Sequence, residues 1–237
     1  MSKRKLEAAQ ESGLVYQSKH PLIKHKITQM RKASAGPKYL KQLMHEVSTL
    51  LCYEACADLE LAPCDVTSKQ GAATNGLKVA ERVGIVPVLR GGLGMVDAMT
   101  EMVSNAQVWH LGIYRDKTSL LPVEYYNKLP KQVKVTTIYL LDPMPISGAT
   151  AVAAVDILKA WGSQLPKGKR LSIKFVCIGA SAKAVSFFTS AHPDVPIHVG
   201  LVDEKGDVLP SIGDIGDRLF GTSDDADDTP LVFGARL

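Results

Sequence analysis

Apolar residues recur along the chain with two different periods. From Tyr39 onward, Leu40, Leu43, Met44, Val47, Leu50 and Leu51 fall at the three- and four-residue spacing of one helix face. This predicts a helix running to about Leu59, closed by Pro63. Residues 1–17 read as a polar, frayed arm, and residues 65–78 as a glycine-rich loop or weak hairpin. From residue 82 the pattern changes to short continuous apolar runs separated by helical stretches. The runs "RVGIVPVLRGG", "QVWHLGIYR", "KVTTIYLLD", "RLSIKFVCIGA" and "PIHVGLVD" read as five strands. Between them "LGMVDAMTEMV", "GATAVAAVDILKAWG" and "AKAVSFFTSAH" read as helices. Strands alternating with helices predict an α/β fold, a mostly parallel sheet covered on both faces. Residues 116–134 lack a period, and a connection of that length is a lid, a binding loop or a hairpin arm.

Open parallel sheets bind ligands beyond the carboxyl ends of their strands. Three unusual turns fall there: "LRGGLG", "YRD" and "LDPMPISGAT". They bring Arg90, Arg115 and Asp142 to one edge, a site of mixed charge. In the third turn Ser147, Gly148, Ala149 and Thr150 are all small, and their amides stand at a helix N-terminus, where a phosphate is favoured. The same residues also suit a plain helix cap, and the turn alone leaves both readings open. It lacks the Gly-Lys-Ser/Thr ending of a Walker loop, and "LRGGLGM" fails the Gly-x-Gly-x-x-Gly register at Asp97. A further cluster, "LPSIGDIGDRLFGT", holds two Gly-Asp pairs whose tight backbone suits a flat heterocycle; Asp214 is placed to face a ligand or a metal-bound water, while taken singly each of these residues reads as structural. Its Asp217 and Arg218 read as a local cap or pair.

Composition narrows the picture only modestly. The 237 residues are 46% hydrophobic and 22% charged, with a net charge of +4, which suits small anions as readily as nucleic acid. No basic block or aromatic RNA-binding strand is present, so nucleic acid is not expected as a partner. The four scattered cysteines fit reduced thiols in an intracellular protein, and Cys52 and Cys56 read as core rather than metal ligands. The chain holds no apolar run long enough to span a membrane, no secretory signal and no Gly-x-Ser-x-Gly elbow. The acidic "DDADD" reads as a solvated tail, and the final Ala235-Arg236-Leu237 resembles a peroxisomal address.

Together the turns carry more than each does singly. In order, "HPLIKHKITQMR", "LLCYEACADLE", "VPVLRGGLGMVDA", "YRD", "LDPMPISGAT" and "IGDIGDRLFGT" resemble the uracil phosphoribosyltransferases, from about His20 to Thr222. The resemblance implies the type I phosphoribosyltransferase fold, with a hood built from the terminal segments. It divides the chain into an arm (1–17), a phosphoribosyltransferase domain (18–223) and an acidic tail (224–237). It implies the reaction of uracil with phosphoribosyl pyrophosphate (PRPP) to give UMP and pyrophosphate, with Mg²⁺ held mainly by PRPP. By resemblance, Asp142, Pro143, Met144, Pro145, Ile146, Ser147, Gly148, Ala149 and Thr150 form the PRPP loop. Arg90 and Arg115 bind pyrophosphate, Asp214 also faces PRPP, and Val208, Gly213, Asp214 and Ile215 grip uracil. Members of the family are dimers or tetramers, and some respond to GTP.

Departures from the family pattern are local. Pro145 and Ile146 stand in the PRPP loop, Gly91 where alanine is usual, and Asp207 to Ser211 where a bulky residue and "IVPG" are common. The altered base loop motivates two alternatives: a non-catalytic PRPP- or nucleotide-binding regulator, or transfer to a different base.

Overall fold

The computed structural model describes residues 14–116, 118–119 and 121–222. The sequence readings for residues 1–13, the acidic tail and the C-terminal tripeptide lie outside these residues. The chain forms β1 (Val15–Gln17), α1 (Pro21–Met30), α2 (Pro37–Ala55), β2 (Leu61–Thr67), β3 (Ala73–Val79) and β4 (Val83–Leu89). A 3-10 turn (Gly91–Met95) leads into α3 (Val96–Met102), followed by β5 (Gln107–Val108), β6 (Leu111–Arg115), β7 (Pro122–Asn127) and β8 (Thr137–Leu141). Then come α4 (Ala149–Gly162), β9 (Ser172–Ser181), α5 (Ala182–Ala191), β10 (Ile197–Asp203) and α6 (Ile215–Phe220).

The main sheet has the order β1-β10-β9-β8-β4-β6-β7, with β5 pairing beside β4. All its pairings are parallel except β6 with β7. The central strands are apolar on both faces, which explains their continuous runs. Val86, Val88, Ile138, Leu140, Phe175 and Cys177 face a core with α4 and α5. Their neighbours Val83, Ile85, Tyr139, Leu141, Val176 and Ile178 face a second core with α1, α2 and Met95. The strand period of two divides each run between the two layers.

The expected α/β architecture is present, with several local differences. α2 begins at Pro37, a residue suited to the first helical turn, and ends at Ala55 rather than Leu59. Pro63 lies inside β2, and residues 61–79 make an antiparallel hairpin that forms a separate two-stranded sheet. The run "QVWHLGIYR" divides at Trp109 and His110 into β5 and β6, because Trp109 donates its N–H to Ile85 O between the two pairings. Residues 15–17 are not frayed: β1 pairs with β10, and Val15 is buried. Helix α1 was not expected from periodicity; His20 Nδ1 accepts from Leu22 N–H and caps it, with Pro21 in its first turn. Of the three readings of residues 116–134, the hairpin arm is the one observed, since β7 folds back on β6.

The hood forms where both ends of the domain meet. Arg218 of α6 donates to the carbonyls of Met30 (2.7 Å), Ile212 (2.6 Å), Lys32 (3.0 Å) and Ala35 (3.3 Å). Arg31, just after α1, donates Nε–H to Ser211 Oγ at 2.7 Å. One guanidinium thus gathers the carbonyls of the segment after α1 and of the loop before α6.

Candidate active site

A cleft of about 590 Å³ opens at the carboxyl ends of β4, β6 and β8. One side is the turn from β8 to α4, contributing Asp142, Met144, Pro145, Ile146, Ser147, Gly148 and Thr150. The end of β4 contributes Val88 to Gly91, and the hood contributes Asp214, Ile215 and Gly216. Ile113, Tyr114 and Tyr125 from the β6–β7 arm close the remaining side.

The β8–α4 turn is shaped by its carbonyls, which point away from the cleft. Pro143 O accepts from Ile178 and Gly179 N–H, and Pro145 O accepts from Ser181 N–H at 3.2 Å. Ile146 O accepts the Ser181 hydroxyl at 2.6 Å. Pro145 therefore serves through its carbonyl, and its missing N–H leaves no gap in this anchorage. Gly148 then caps α4 with φ of 81°. A Cβ there would stand 2.9 Å from Ala184 O, so both the dihedral and the space demand glycine. No side chain caps α4. Ser147 Oγ accepts from Ala149 N–H only at a long 3.4 Å. The reading of Ser147 or Thr150 as a plain N-cap is thus set aside, and the first amides of α4 stand beside the cleft, an arrangement suited to an anion.

Asp142 sits at the root of this turn, half-buried. Burial pushes its carboxyl up to about 6, against the pull of the Met144 N–H. Arg90, at the end of β4, donates to Asp217 Oδ1 at 2.6 Å and to Thr222 Oγ1 at 3.1 Å. The Thr222 hydroxyl donates to the same Asp217 oxygen at 2.7 Å. The Thr222 hydroxyl and Arg90 hold the Asp217 carboxyl below the usual carboxylate range. Half of the Arg90 side chain is still exposed at the cleft edge. Asp214 Oδ1 accepts from Asp217 N–H at 3.0 Å and caps α6, while the residue also lines the cleft. Gly91 fits between Pro143 and Ile215; a Cβ would meet them at 3.1 and 3.3 Å, so glycine relaxes a tight seam.

Of the residues expected at the site, Asp142, Met144 to Gly148, Thr150, Arg90, Asp214 and Ile215 converge on this cleft. Pro143 and Ala149 belong to the same turn but are not part of its lining. Arg115 ends β6, where its backbone pairs with Pro122, and its side chain lies outside the described part of the structure. Val208 and Gly213 lie in the hood, outside the cleft lining. Val208 N–H donates to Asp203, and its carbonyl accepts the Ser211 hydroxyl at 2.7 Å.

Three features were not read from the sequence. Asp217 and Arg218 are not a local pair: they reach Arg90 and the carbonyls after α1, respectively. Tyr114 and Tyr125 form a tilted ring pair with centroids 5.9 Å apart. Tyr125 lies against Gly112, where a Cβ would come within 2.6 Å of its ring. The alternation of glycine and bulk on facing strands is the only trace of this seat in the sequence, and it requires knowing the pairing.

The comparisons with known proteins agree with one another. The family model described as uracil phosphoribosyltransferase matches residues 17–222. A uracil phosphoribosyltransferase from Roseiflexus sp. (strain RS-1) is 46% identical over 209 residues, covering 86% of this chain and 97% of its own. The enzyme of that name from Geobacillus kaustophilus is 41% identical over 214 residues, covering 89% and 99%. The solved structure of the AQ2163 protein from Aquifex aeolicus superposes with a TM-score of 0.78 at 30% identity, over 88% of this chain and 99% of that one.

Proposed function

The chain belongs to the uracil phosphoribosyltransferase family, and on that premise we propose that its cleft joins uracil to the ribose of PRPP, giving UMP and pyrophosphate. The observation that carries the reading is the anchored β8–α4 turn, which sets free helix amides beside a half-buried carboxylate. The 5′-phosphate is held by the amides and hydroxyls of Ser147 to Thr150. Asp142 faces the ribose hydroxyls. Arg90 and Arg115 take the pyrophosphate, so Arg90 exchanges Asp217 for the substrate. Asp214 faces PRPP from the hood, and uracil lies against the backbone between Val208 and Ile215.

The bond from C1′ to the pyrophosphate oxygen breaks, the bond from C1′ to the uracil N1 forms, and the N1 proton is released. Positive charge builds on the ribose as negative charge builds on the leaving group. Arg90, once exchanged from Asp217, and Arg115 stabilise the latter. The β6–β7 arm with Tyr114 and Tyr125 borders the cleft where water must be kept from PRPP. Among the described residues no group of three or more His, Cys, Asp or Glu is placed to hold a metal. The oxygen donors present, Asp142 and Asp214, fit Mg²⁺ only as partners to a substrate that brings most of the ligands itself. When bound, Mg²⁺ supplies charge neutralisation on the diphosphate.

A homo-oligomer is the proposed assembly, and a GTP response remains an expectation carried by the family. No helix among the described residues is long and apolar enough to cross a membrane. The test is radiolabelled uracil with PRPP and Mg²⁺, extended to other bases. UMP well above the level of an Asp142→Ala control is expected; product no greater than that control overturns the reading.

A further inference from the structure

A buried carboxylate outside the cleft organises the turn that leads into the hood. Asp203 is the last residue of β10 and only 6% exposed. Its Oδ1 accepts from the N–H groups of Gly206 (2.8 Å) and Asp207 (3.2 Å). Its Oδ2 accepts from Val208 (2.9 Å) and Leu209 (3.0 Å). A single carboxylate thus fixes four amides of the turn that leads into the hood. The opposite side of that turn is also fastened. Val208 O accepts from Ser211 Oγ, Asp207 O from Arg31, Leu209 O from Ile212 N–H and Ile212 O from Arg218. Leu209 reaches Gly179, where a Cβ would stand 2.7 Å from its Cδ2 and 3.5 Å from Met144 Sδ. Met144 lines the cleft, so the turn is coupled to the cleft floor through these three residues.

We propose that Asp203 is a positioning residue for the base: its carboxylate holds the 206–209 turn in the one shape that presents the hood backbone to uracil, and so sets base affinity and base choice. The inference rests on the assignment of uracil to the 208–215 segment. A planar base recognised by backbone groups is discriminated only if those groups are rigid, because a yielding backbone re-pairs with the wrong edge. Four amides converging on a buried anion supply that rigidity without any contact to the ligand. The phosphate side is built on β8, β9 and α4 and shares none of these bonds. Asp203 therefore acts mainly on the base, and reaches the phosphate side only through the packing of Leu209, Gly179 and Met144.

Asp203→Asn is the sharpest probe, because its amide turns a donor toward two N–H groups. The expected result is a KM for uracil raised about tenfold or more, with PRPP affinity measured by calorimetry changed less than about twofold. The ratio of kcat/KM for uracil over cytosine falls with it. Gly206→Ala disturbs the same turn from the solvent side: φ there is 76° and nothing lies within 4 Å of the added Cβ. It gives the same split, weaker, and decides the matter if Asp203→Asn does not fold. Wild-type turnover is measured first, and its absence overturns both the reading of the site and this role. With wild-type turnover present, an unchanged uracil KM, or equal loss toward both substrates, overturns the role of Asp203 alone.

Discussion

At the scale of single residues, the cleft holds a carboxyl whose burial weakens the fold. Asp142 titrates near 6 rather than at its ordinary 3.8 because burial disfavours its charge. A folded-state value above the unfolded one makes the ionised carboxylate a stability cost. That cost is full above about 6 and disappears as pH falls toward 3.8. Asp142→Asn is expected to raise stability by about 1–3 kcal/mol at pH 8, and to give no gain below the ordinary carboxylate range, in denaturant titrations at several pH values. The same substitution lowers kcat/KM for PRPP by roughly 100-fold, and the wild-type profile loses activity on the acid side near pH 6. Gly148 is the contrasting case, a cleft residue whose identity the fold itself requires. Gly148→Ala forces a Cβ against Ala184 O at positive φ and should cost about 2 kcal/mol or more in an unfolding titration, with weaker PRPP binding in calorimetry.

At the scale of elements, the β2–β3 hairpin stands apart from the cores. Leu61, Val66, Leu77 and Val79 are large, apolar and exposed on it, and an isolated two-stranded hairpin is marginal in water. Its base is closed by Ala80 N–H to Glu60 O at 2.9 Å. Replacing residues 61–79 by a short turn should therefore leave cooperative unfolding intact, and if the proposed homo-oligomer joins through this arm, light scattering should show a fall in mass. Unchanged mass would show that the arm is not what joins the subunits. Strands and helices from residue 82 onward were legible because each central strand is apolar on both faces and each helix on one. The hairpin was half legible: Gly71 and the polar tip mark a turn, but exposed apolar positions and Pro63 resemble the end of a helix. Helix α1 carries a signal that periodicity overlooks, His20-Pro21 at its start, while only Ile23, Ile27 and Met30 face inward. The β8–α4 turn was legible as an element, since small residues ahead of an apolar helical run mark a helix start, but the turn alone left phosphate site and plain cap open. The bonds from Asp217 and Arg218 were not, because a sequence records which groups are available but not which distant group lies within reach.

At the scale of the whole molecule, the hood depends on both ends of the domain. Arg218 gathers carbonyls from either side of a gap the sheet does not bridge, and Lys32 O among them also accepts from Ala35 N–H at 3.0 Å. Arg218→Met should destabilise the protein by about 2–4 kcal/mol. Hydrogen exchange should then quicken together in residues 21–36 and 204–222, while β8 and β9 stay protected. Loss of protection spread evenly over the sheet would show that the hood is not a separate unit. The same bonds also set an order of events during synthesis. Met30 leaves the ribosome 188 residues before Arg218. At roughly 5–20 residues per second its carbonyl waits on the order of 10–40 s for that guanidinium. Edge strand β1 likewise has no partner until β10 is made. The nascent chain thus completes the β8–α4 turn well before the hood, and the cleft gains its remaining wall only once residues 214–216 are made.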